Sequence, residues 1–174
     1  MENFNALKTT ASMNAEINER SNLLAKLLRE RHKTLALAES CTGGWIAKVL
    51  TDIAGSSEWF LGGVVSYSNA AKHELLGVDE ASLEKYGAVS GQVAEQMVEG
   101  AQRVFSASLA LSVTGVAGPT GGSAEKPLGL VWFGFKQASE DAVLVKQVFN
   151  GSREQIRQQA VSFALQLLIK YQSS

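Results

Sequence analysis

The sequence has 174 residues, of which 45% are hydrophobic and 19% charged, and these proportions are typical of a soluble globular protein. Its 16 basic and 17 acidic side chains leave a formal net charge of −1, so overall charge gives no attraction to nucleic acid or an anionic membrane. The single cysteine excludes an internal disulfide, and two histidines are a weak basis for structural zinc.

The length fits one domain. Residues 1–12 are polar and aperiodic, and we predict that they form a flexible tail before a domain at residues 13–174. The first 20 residues lack the apolar segment of a signal peptide, and no apolar run is long enough to span a membrane. We therefore expect a cytoplasmic protein without a membrane partner.

Helices and short apolar strands alternate along the first half of the domain. Apolar residues at helical spacing predict an amphipathic helix from about residue 14 to residue 32. Residues 34–39 predict a buried strand, and a turn at residues 40–44 leads into a second helical pattern. Residues 62–68 predict another strand, followed by a short helix for which Asn69 is the expected cap.

The second half continues the alternation and then changes character. Ser90 is the expected cap of a longer helix, and a buried strand follows at residues 109–113. Residues 128–135 and 142–149 predict two strands joined by a polar loop, which is typical of a hairpin. A capping box at residues 152–155 begins a final helix. This order predicts a layered α/β domain with a mixed sheet.

Two of the predicted strands end in glycine-rich turns, at residues 40–44 and 114–123. Ligands of open α/β sheets bind outside the carboxyl ends of the strands, so two such turns on one rim predict a binding site. The first turn also begins a helix, whose N-terminal N–H groups favour an anion or oxyanion. Neither turn matches a dinucleotide or P-loop fingerprint. The alternative is that the glycines only permit tight turns.

Ser40 and Cys41 lie at a strand-to-helix turn, where a nucleophile would be presented. The alternative is that Ser40 or Thr42 only caps the helix, the commonest role of these residues there. Lys72 lies in the first turn of its predicted helix, where a cation opposes the helix dipole. A partly buried lysine there would have a lowered pKa and act as a general base, as in known Ser–Lys pairs.

Two other charged residues are weaker candidates. Glu39 precedes the turn and either orients Lys72 or a substrate amine, or faces solvent at the end of the strand. Arg153 either clamps a phosphate or is an exposed side chain in the first turn of its helix.

Four motifs give the chain a resemblance to a known family. They are residues 38–44 (AESCTGG), residues 65–69 (VSYSN) with Lys72 after them, residues 87–90 (GAVS) and residues 114–122 (TGVAGPTGG). In this order they resemble the CinA C-terminal domain family, and the similarity extends from about residue 16 to residue 171. One difference is Ser152, which stands between Gly151 and Arg153 where close relatives are expected to have aspartate.

The resemblance implies a three-layer α/β/α sandwich with a mixed, mostly parallel sheet, assembled as a homodimer or another homo-oligomer. It implies hydrolysis of nicotinamide mononucleotide to nicotinate mononucleotide and ammonia, without a metal or an organic cofactor and without nucleic acid. In this interpretation Ser40 is the nucleophile, Lys72 is its base, and Tyr67 belongs to the same catalytic site.

We expect the substrate to contact both glycine-rich turns and the helix ends beside them. The expected substrate-binding residues are Cys41, Thr42, Gly43, Gly44, Asn69, Thr114, Gly115, Gly118, Gly121, Gly122 and Arg153. Backbone N–H groups of residues 41–44 are expected to hold the oxyanion, and the second turn with Arg153 to hold ribose and phosphate.

Two alternatives stay open. A thiol amidase would use Cys41 in place of Ser40, and a non-catalytic nucleotide-binding or regulatory relative would use the same rim without turnover. The joint presence of Ser40 and Lys72 favours an enzyme, because a binding module has no need of both.

Overall fold

The computed structural model describes residues 9–172, which form an α/β domain of six α-helices around five strands. The helices are α1 (Thr10–Glu30), α2 (Trp45–Thr51), α3 (Asn69–Leu76), α4 (Glu80–Tyr86), α5 (Gly91–Phe105) and α6 (Arg153–Gln172). The strands are β1 (Leu35–Glu39), β2 (Phe60–Val65), β3 (Leu109–Gly115), β4 (Leu130–Gln137) and β5 (Val143–Val148). None of the helices in this part of the chain combines the length and apolar character of a membrane span.

The strands form one sheet in the order β2-β1-β3-β4-β5. Strand β1 is parallel to both of its neighbours, while β4 is antiparallel to β3 and to β5. Four of the five strands therefore run in the same direction, and β4 alone is reversed. This confirms the mixed, mostly parallel sheet and the hairpin near the end of the chain.

Helices cover both faces of the sheet, which confirms the three-layer architecture. Helices α1, α2 and α6 pack on one face against large side chains such as Leu37 and Leu111. Helices α3, α4 and α5 pack on the other face, where the strands contribute the small side chains of Ala38 and Ala110. Large and small residues alternate along the central strands because successive side chains point to opposite faces.

The first helix begins earlier than its apolar pattern indicated. Helix α1 starts at Thr10, and the Thr9 hydroxyl caps it by accepting the N–H of Ser12 at 3.2 Å. Residues 10–12 are therefore helical, although we predicted them as part of the tail. The rest of the predicted tail, residues 1–8, lies outside the described residues.

The cap of α3 also differs from the prediction. Ser68 has extended backbone angles and accepts the N–H of Ala71, so it is the cap, and Asn69 is the first helical residue. At α5 the prediction is confirmed, because the Ser90 hydroxyl accepts the N–H of Val93 at 3.3 Å. Serine and asparagine have similar preferences for the cap position, so the sequence does not decide between neighbouring Ser68 and Asn69, and the backbone angles do.

The capping box at the start of α6 is confirmed. The Ser152 N–H donates to Gln155 Oε1 at 2.8 Å, and the Gln155 N–H donates back to the Ser152 hydroxyl at 3.3 Å. Helix α4 was not predicted. It has only seven residues and one buried side chain, Leu83, and this is too short a pattern to show a helical period.

A close approach of α5 to the end of α3 fixes the helix that carries Lys72. Gly100 in α5 faces the last residue of α3, and a Cβ at this glycine would lie 2.1 Å from the Leu76 carbonyl oxygen. Real Cβ contacts do not reach this distance, so only glycine permits the two helices to pack this closely.

We predict that Gly100→Ala lowers the free energy of unfolding by about 1–3 kcal/mol, because the added methyl pushes α3 away from α5. Urea unfolding followed by circular dichroism measures the change. Glu99→Ala, at the exposed neighbouring position, is the control and is expected to stay within about 0.5 kcal/mol of wild type. Equal stability of Gly100→Ala and wild type would contradict the tight packing of these helices.

Candidate active site

Ser40 lies on a tight turn between β1 and α2. Its backbone N–H donates to the Val113 carbonyl at 2.9 Å, which ties the start of the turn to the neighbouring strand β3. Gly43 and Gly44 complete the turn at φ angles of +62° and +90°, which residues with a side chain rarely adopt. Gly44 occupies the cap position of α2 without a side-chain bond, so Ser40 and Thr42 are not the helix cap. The helix-cap alternative for Ser40 is therefore wrong.

Glu39 caps the helix instead. Its carboxylate is 1% exposed and accepts the N–H groups of Gly44, Ile46 and Ala47 at 2.8–3.1 Å. The first turn of α2 thus holds an anion supplied by the chain itself, so the N–H groups that Glu39 occupies are not free to receive the anion or oxyanion that we expected at this helix end. Glu39 is neither solvent-facing nor a hydrogen-bond partner of Lys72 in the described structure.

Lys72 projects from α3 into the interior and meets Ser40. Its side chain is 1% exposed, and its Nζ donates to the Ser40 Oγ at 3.1 Å and to the Ser66 carbonyl at 2.7 Å. Burial lowers the pKa of Lys72 from 10.5 to about 8, because the charged ammonium loses its hydration. The residues that we expected to form a nucleophile and base are therefore in contact.

Cys41 is next to Ser40 but has the opposite character. Burial is the main cause that raises the pKa of its thiol to about 12, and the Glu39 carboxylate adds to the effect. A thiol with this pKa is almost entirely protonated at neutral pH, whereas the thiolate is the nucleophilic form.

A cleft of about 220 Å³ opens above the Ser40–Lys72 pair. Seven of the residues singled out from the sequence line it: Ser40, Cys41, Tyr67, Lys72, Thr114, Gly115 and Arg153. Five of them lie at the carboxyl ends of β1, β2 and β3, as expected for the rim of an open α/β sheet, while Lys72 comes from α3 and Arg153 from the start of α6.

Three apolar residues of the cleft wall were missed, namely Ala88, Val89 and Ala117. The first two lie in the GAVS motif, which we had noted but given no role. Their position depends on Thr114, whose hydroxyl is buried and donates to the Ala88 carbonyl at 2.8 Å. Thr114 thus holds this wall against the end of β3.

Other residues expected to contact the substrate are absent from the cleft lining within residues 9–172. They are Thr42, Gly43, Gly44, Asn69, Gly118, Gly121 and Gly122. Thr42 is buried, and Gly43, Asn69, Gly121 and Gly122 are exposed outside the cleft. Four of these glycines have positive φ angles, which fits the alternative that glycines permit tight turns: Gly43, Gly44, Gly118 and Gly121.

Arg153 connects two walls at the mouth of the cleft. One nitrogen of its guanidinium donates to the Gly118 carbonyl at 2.7 Å, and another donates to the Tyr67 hydroxyl at 2.9 Å. Tyr67 itself is 60% exposed. A cation and a phenol hydroxyl therefore lie together at the entrance, where they are accessible to an anionic ligand.

The chain belongs to the CinA C-terminal domain family, whose sequence profile matches residues 17–172. It is 53% identical over 154 residues to the nicotinamide-nucleotide amidohydrolase PncC of Enterobacter agglomerans, with 88% of this chain and 94% of that protein covered. The protein of the same name from Escherichia coli strain K12 is 47% identical over 154 residues, covering 88% and 93%. These findings confirm the resemblance seen in the four motifs.

A solved structure supports the same assignment. The crystal structure of the competence/damage inducible protein CihA from Agrobacterium tumefaciens has a TM-score of 0.87 to this chain at 42% sequence identity. The match covers 89% of this chain and 94% of that chain, so the whole layered domain is shared.

We predict that the buried lysine makes stability depend on pH in a defined window. The unfolded chain keeps the Lys72 proton up to pH 10.5 but the folded chain only up to about 8, so the folded state gains stability as the pH rises between these values. Wild type should therefore gain up to about 3 kcal/mol relative to Lys72→Met from pH 8 to pH 10.5.

Urea unfolding of both proteins at pH 7.5, 9 and 10 measures this difference. Lys26→Met changes an exposed lysine and is the matched control, for which we expect a difference from wild type that does not vary with pH. A pH-independent difference between wild type and Lys72→Met would contradict the lowered pKa.

Proposed function

We propose that this protein is an amidohydrolase that converts nicotinamide mononucleotide to nicotinate mononucleotide and ammonia, with Ser40 as nucleophile and Lys72 as general base. One observation carries the proposal: the buried Lys72 amine lies 3.1 Å from the Ser40 hydroxyl inside a cleft. The substrate follows from the two relatives named nicotinamide-nucleotide amidohydrolase, which match this chain over 88% of its length.

The lowered pKa gives Lys72 a usable base form. With a pKa of about 8, roughly a tenth of the Lys72 side chains are neutral at pH 7, and most are neutral at pH 9. The Ser66 carbonyl accepts one N–H of the amine and so restricts its rotation. In the neutral amine, rotation about the Nζ bond exchanges the N–H that now donates to Ser40 for the lone pair, and the 3.1 Å distance then suits removal of the Ser40 proton.

Acylation begins when Lys72 takes the Ser40 proton and the Ser40 oxygen attacks the carboxamide carbon of the substrate. A tetrahedral intermediate forms, with negative charge on the former carbonyl oxygen. Its carbon–nitrogen bond then breaks, and the Lys72 ammonium gives its proton to the leaving nitrogen, which departs as ammonia. The nicotinoyl group remains on Ser40 as an ester. The pyridinium charge of the substrate favours attack by withdrawing electrons from the carboxamide.

The hydrogen bonds of the turn narrow the choice of oxyanion donors. The Gly43 N–H already donates to the Ser40 carbonyl, and the Gly44 N–H donates to Glu39. Neither the Cys41 nor the Thr42 N–H donates to a backbone carbonyl within the described part of the chain. We therefore assign the oxyanion to the backbone N–H groups of Cys41, which lines the cleft, and of the next residue, Thr42, whose side chain is buried outside the cleft lining; we had expected all four residues of the turn to contribute.

Deacylation reverses the roles. Neutral Lys72, left without its proton by the departure of ammonia, takes a proton from water, and the resulting hydroxide attacks the ester carbon. The bond to the Ser40 oxygen breaks, Lys72 returns the proton to Ser40, and nicotinate mononucleotide leaves. We propose that Arg153 and Tyr67 at the mouth of the cleft bind the phosphate, because a guanidinium and a hydroxyl both donate to phosphate oxygens; for Tyr67 this replaces the catalytic role that the resemblance implied. The expected homo-oligomer and cytoplasmic location stay predictions.

We predict that Ser40→Ala lowers ammonia release from nicotinamide mononucleotide at least a thousandfold, because no hydroxyl remains to form the ester. Lys72→Ala should lower it about a hundredfold or more, because the general base is lost. Ammonia release is measured at pH 8 with a chelator present, and wild type should keep its full rate. Lys26→Ala, an exposed lysine on α1, is the control and should match wild type.

Cys41→Ala separates this mechanism from the thiol alternative. Because the buried thiol of Cys41 is protonated, this variant should keep most of its activity, and iodoacetamide at pH 8 should inactivate wild type slowly. A Cys41→Ala variant as inactive as we expect of Ser40→Ala would favour the thiol amidase. If folded wild type binds the nucleotide without releasing ammonia, the protein is a binding module.

A further inference from the structure

Arg157 contacts the turn at residues 40–44, which carries Ser40, from the side of α6. It lies one turn of α6 after Arg153, yet it does not line the cleft. Its Nε donates to the Cys41 carbonyl at 3.0 Å, and its Nη2 donates to the Thr42 carbonyl at 3.0 Å. The guanidinium also lies 5.4 Å from the centre of the Trp45 ring, which limits its freedom to swing away.

The turn is therefore held by two charged side chains with complementary roles. Glu39 accepts the N–H groups of Gly44, Ile46 and Ala47, where the turn passes into α2. Arg157 binds carbonyl groups at its near end, on Cys41 and Thr42. Neither the Cys41 nor the Thr42 N–H donates to a backbone carbonyl within residues 9–172.

The planar peptide links the Arg157 contact to the oxyanion donor. In a trans peptide the carbonyl and the N–H point in opposite directions. The Cys41 carbonyl shares its peptide unit with the Thr42 N–H, so fixing that carbonyl toward α6 turns the Thr42 N–H away from α6. A cation on the carbonyl also polarises the peptide and makes its N–H a stronger donor.

We infer that Arg157 is a positioning residue for the oxyanion-binding backbone, acting through the Cys41–Thr42 peptide without touching the substrate. The inference rests on the proposed function and adds to it separate roles for two arginines of α6. Arg153 at the cleft mouth acts on substrate binding, while Arg157 behind the turn acts on the rate of acylation.

A purely structural role for Arg157 makes a different prediction. If the guanidinium only tied α6 to the turn, its loss would lower stability without a selective effect on kcat. Arg20 offers a matched comparison, because it is also partly buried and donates to a carbonyl, that of Ser162 in α6, at 2.9 Å. Arg20 lies in α1, so Arg20→Met removes a comparable hydrogen bond to a different part of α6.

The experiment compares wild type, Arg157→Met, Arg157→Lys and Arg20→Met in two assays below their melting temperatures. The first assay measures kcat and KM for nicotinamide mononucleotide. The second measures the rate at which a small fluorophosphonate modifies Ser40 without substrate. In that reaction the Ser40 oxygen bonds to phosphorus, fluoride leaves and Lys72 takes the proton, while the phosphonyl oxygen occupies the oxyanion position.

For Arg157→Met we expect kcat to fall about tenfold to a hundredfold, with KM within about threefold of wild type and a similar fall in the modification rate. Arg157→Lys should recover part of both rates, because an ammonium keeps the charge but cannot hold both carbonyls as a planar fork does. It also provides the test if Arg157→Met does not fold. Arg20→Met should keep both wild-type rates even where its melting temperature falls.

Three results would overturn the inference: an effect of Arg157→Met on KM alone, unchanged Ser40 modification in both Arg157 variants, or a wild-type Ser40 that does not react. The proposed function fails separately. If wild type reacts with the fluorophosphonate but releases no ammonia from the nucleotide, the substrate is wrong, and slower modification of the Arg157 variants still supports the positioning role.

Discussion

The burial of one lysine amine is the constraint on which the site depends. A charged ammonium inside a protein is unfavourable, and within residues 9–172 the fold around Lys72 compensates with two acceptors, the Ser66 carbonyl and the Ser40 hydroxyl. The result is an amine with a pKa of about 8, which loses its proton far more readily than a lysine in water. Stability and chemistry are thus opposed at this residue, because the environment that is unfavourable for the ammonium also creates the base.

The surrounding structure serves to keep that amine and its partner hydroxyl in place. Gly100 allows α5 to approach α3, which carries Lys72, more closely than any other residue would permit. On the opposite side, Glu39 and Arg157 hold the turn that carries Ser40 by its N–H and carbonyl groups respectively. The site is therefore built on helix and strand ends that are packed from several directions, which suits a reaction sensitive to small displacements.

The order of strands, turns and helices could be predicted from the sequence, because it rests on local patterns of apolar residues and glycines. The candidates Ser40 and Lys72 could also be named, one for its place after a strand and the other for its conflict with a helix dipole. Their contact could not be predicted from spacing, since 32 residues separate them and the parallel pairing of β1 with β2 brings them together.

Roles that depend on three-dimensional packing could not be predicted from the sequence pattern. Glu39 is one residue from Ser40 in sequence, yet its carboxylate bends back to cap α2, which no local rule distinguishes from a solvent-facing strand end. Arg157 donates to the Cys41 and Thr42 carbonyls, which are 116 and 115 residues away in the sequence. Several glycines that we expected to contact the substrate, such as Gly43 and Gly121, lie outside the cleft lining and have positive φ angles. Sequence alone does not separate a glycine that contacts a ligand from one that permits a positive φ angle.

The most direct test of the account is the pH dependence of kcat/KM for nicotinamide mononucleotide between pH 6 and pH 10. If neutral Lys72 is the base, kcat/KM should rise about tenfold per pH unit at low pH and level off above about 8, the pKa of Lys72 in the free protein. A profile that is flat across this range, or that falls as the pH passes 8, would contradict the central claim that burial makes Lys72 the base for Ser40.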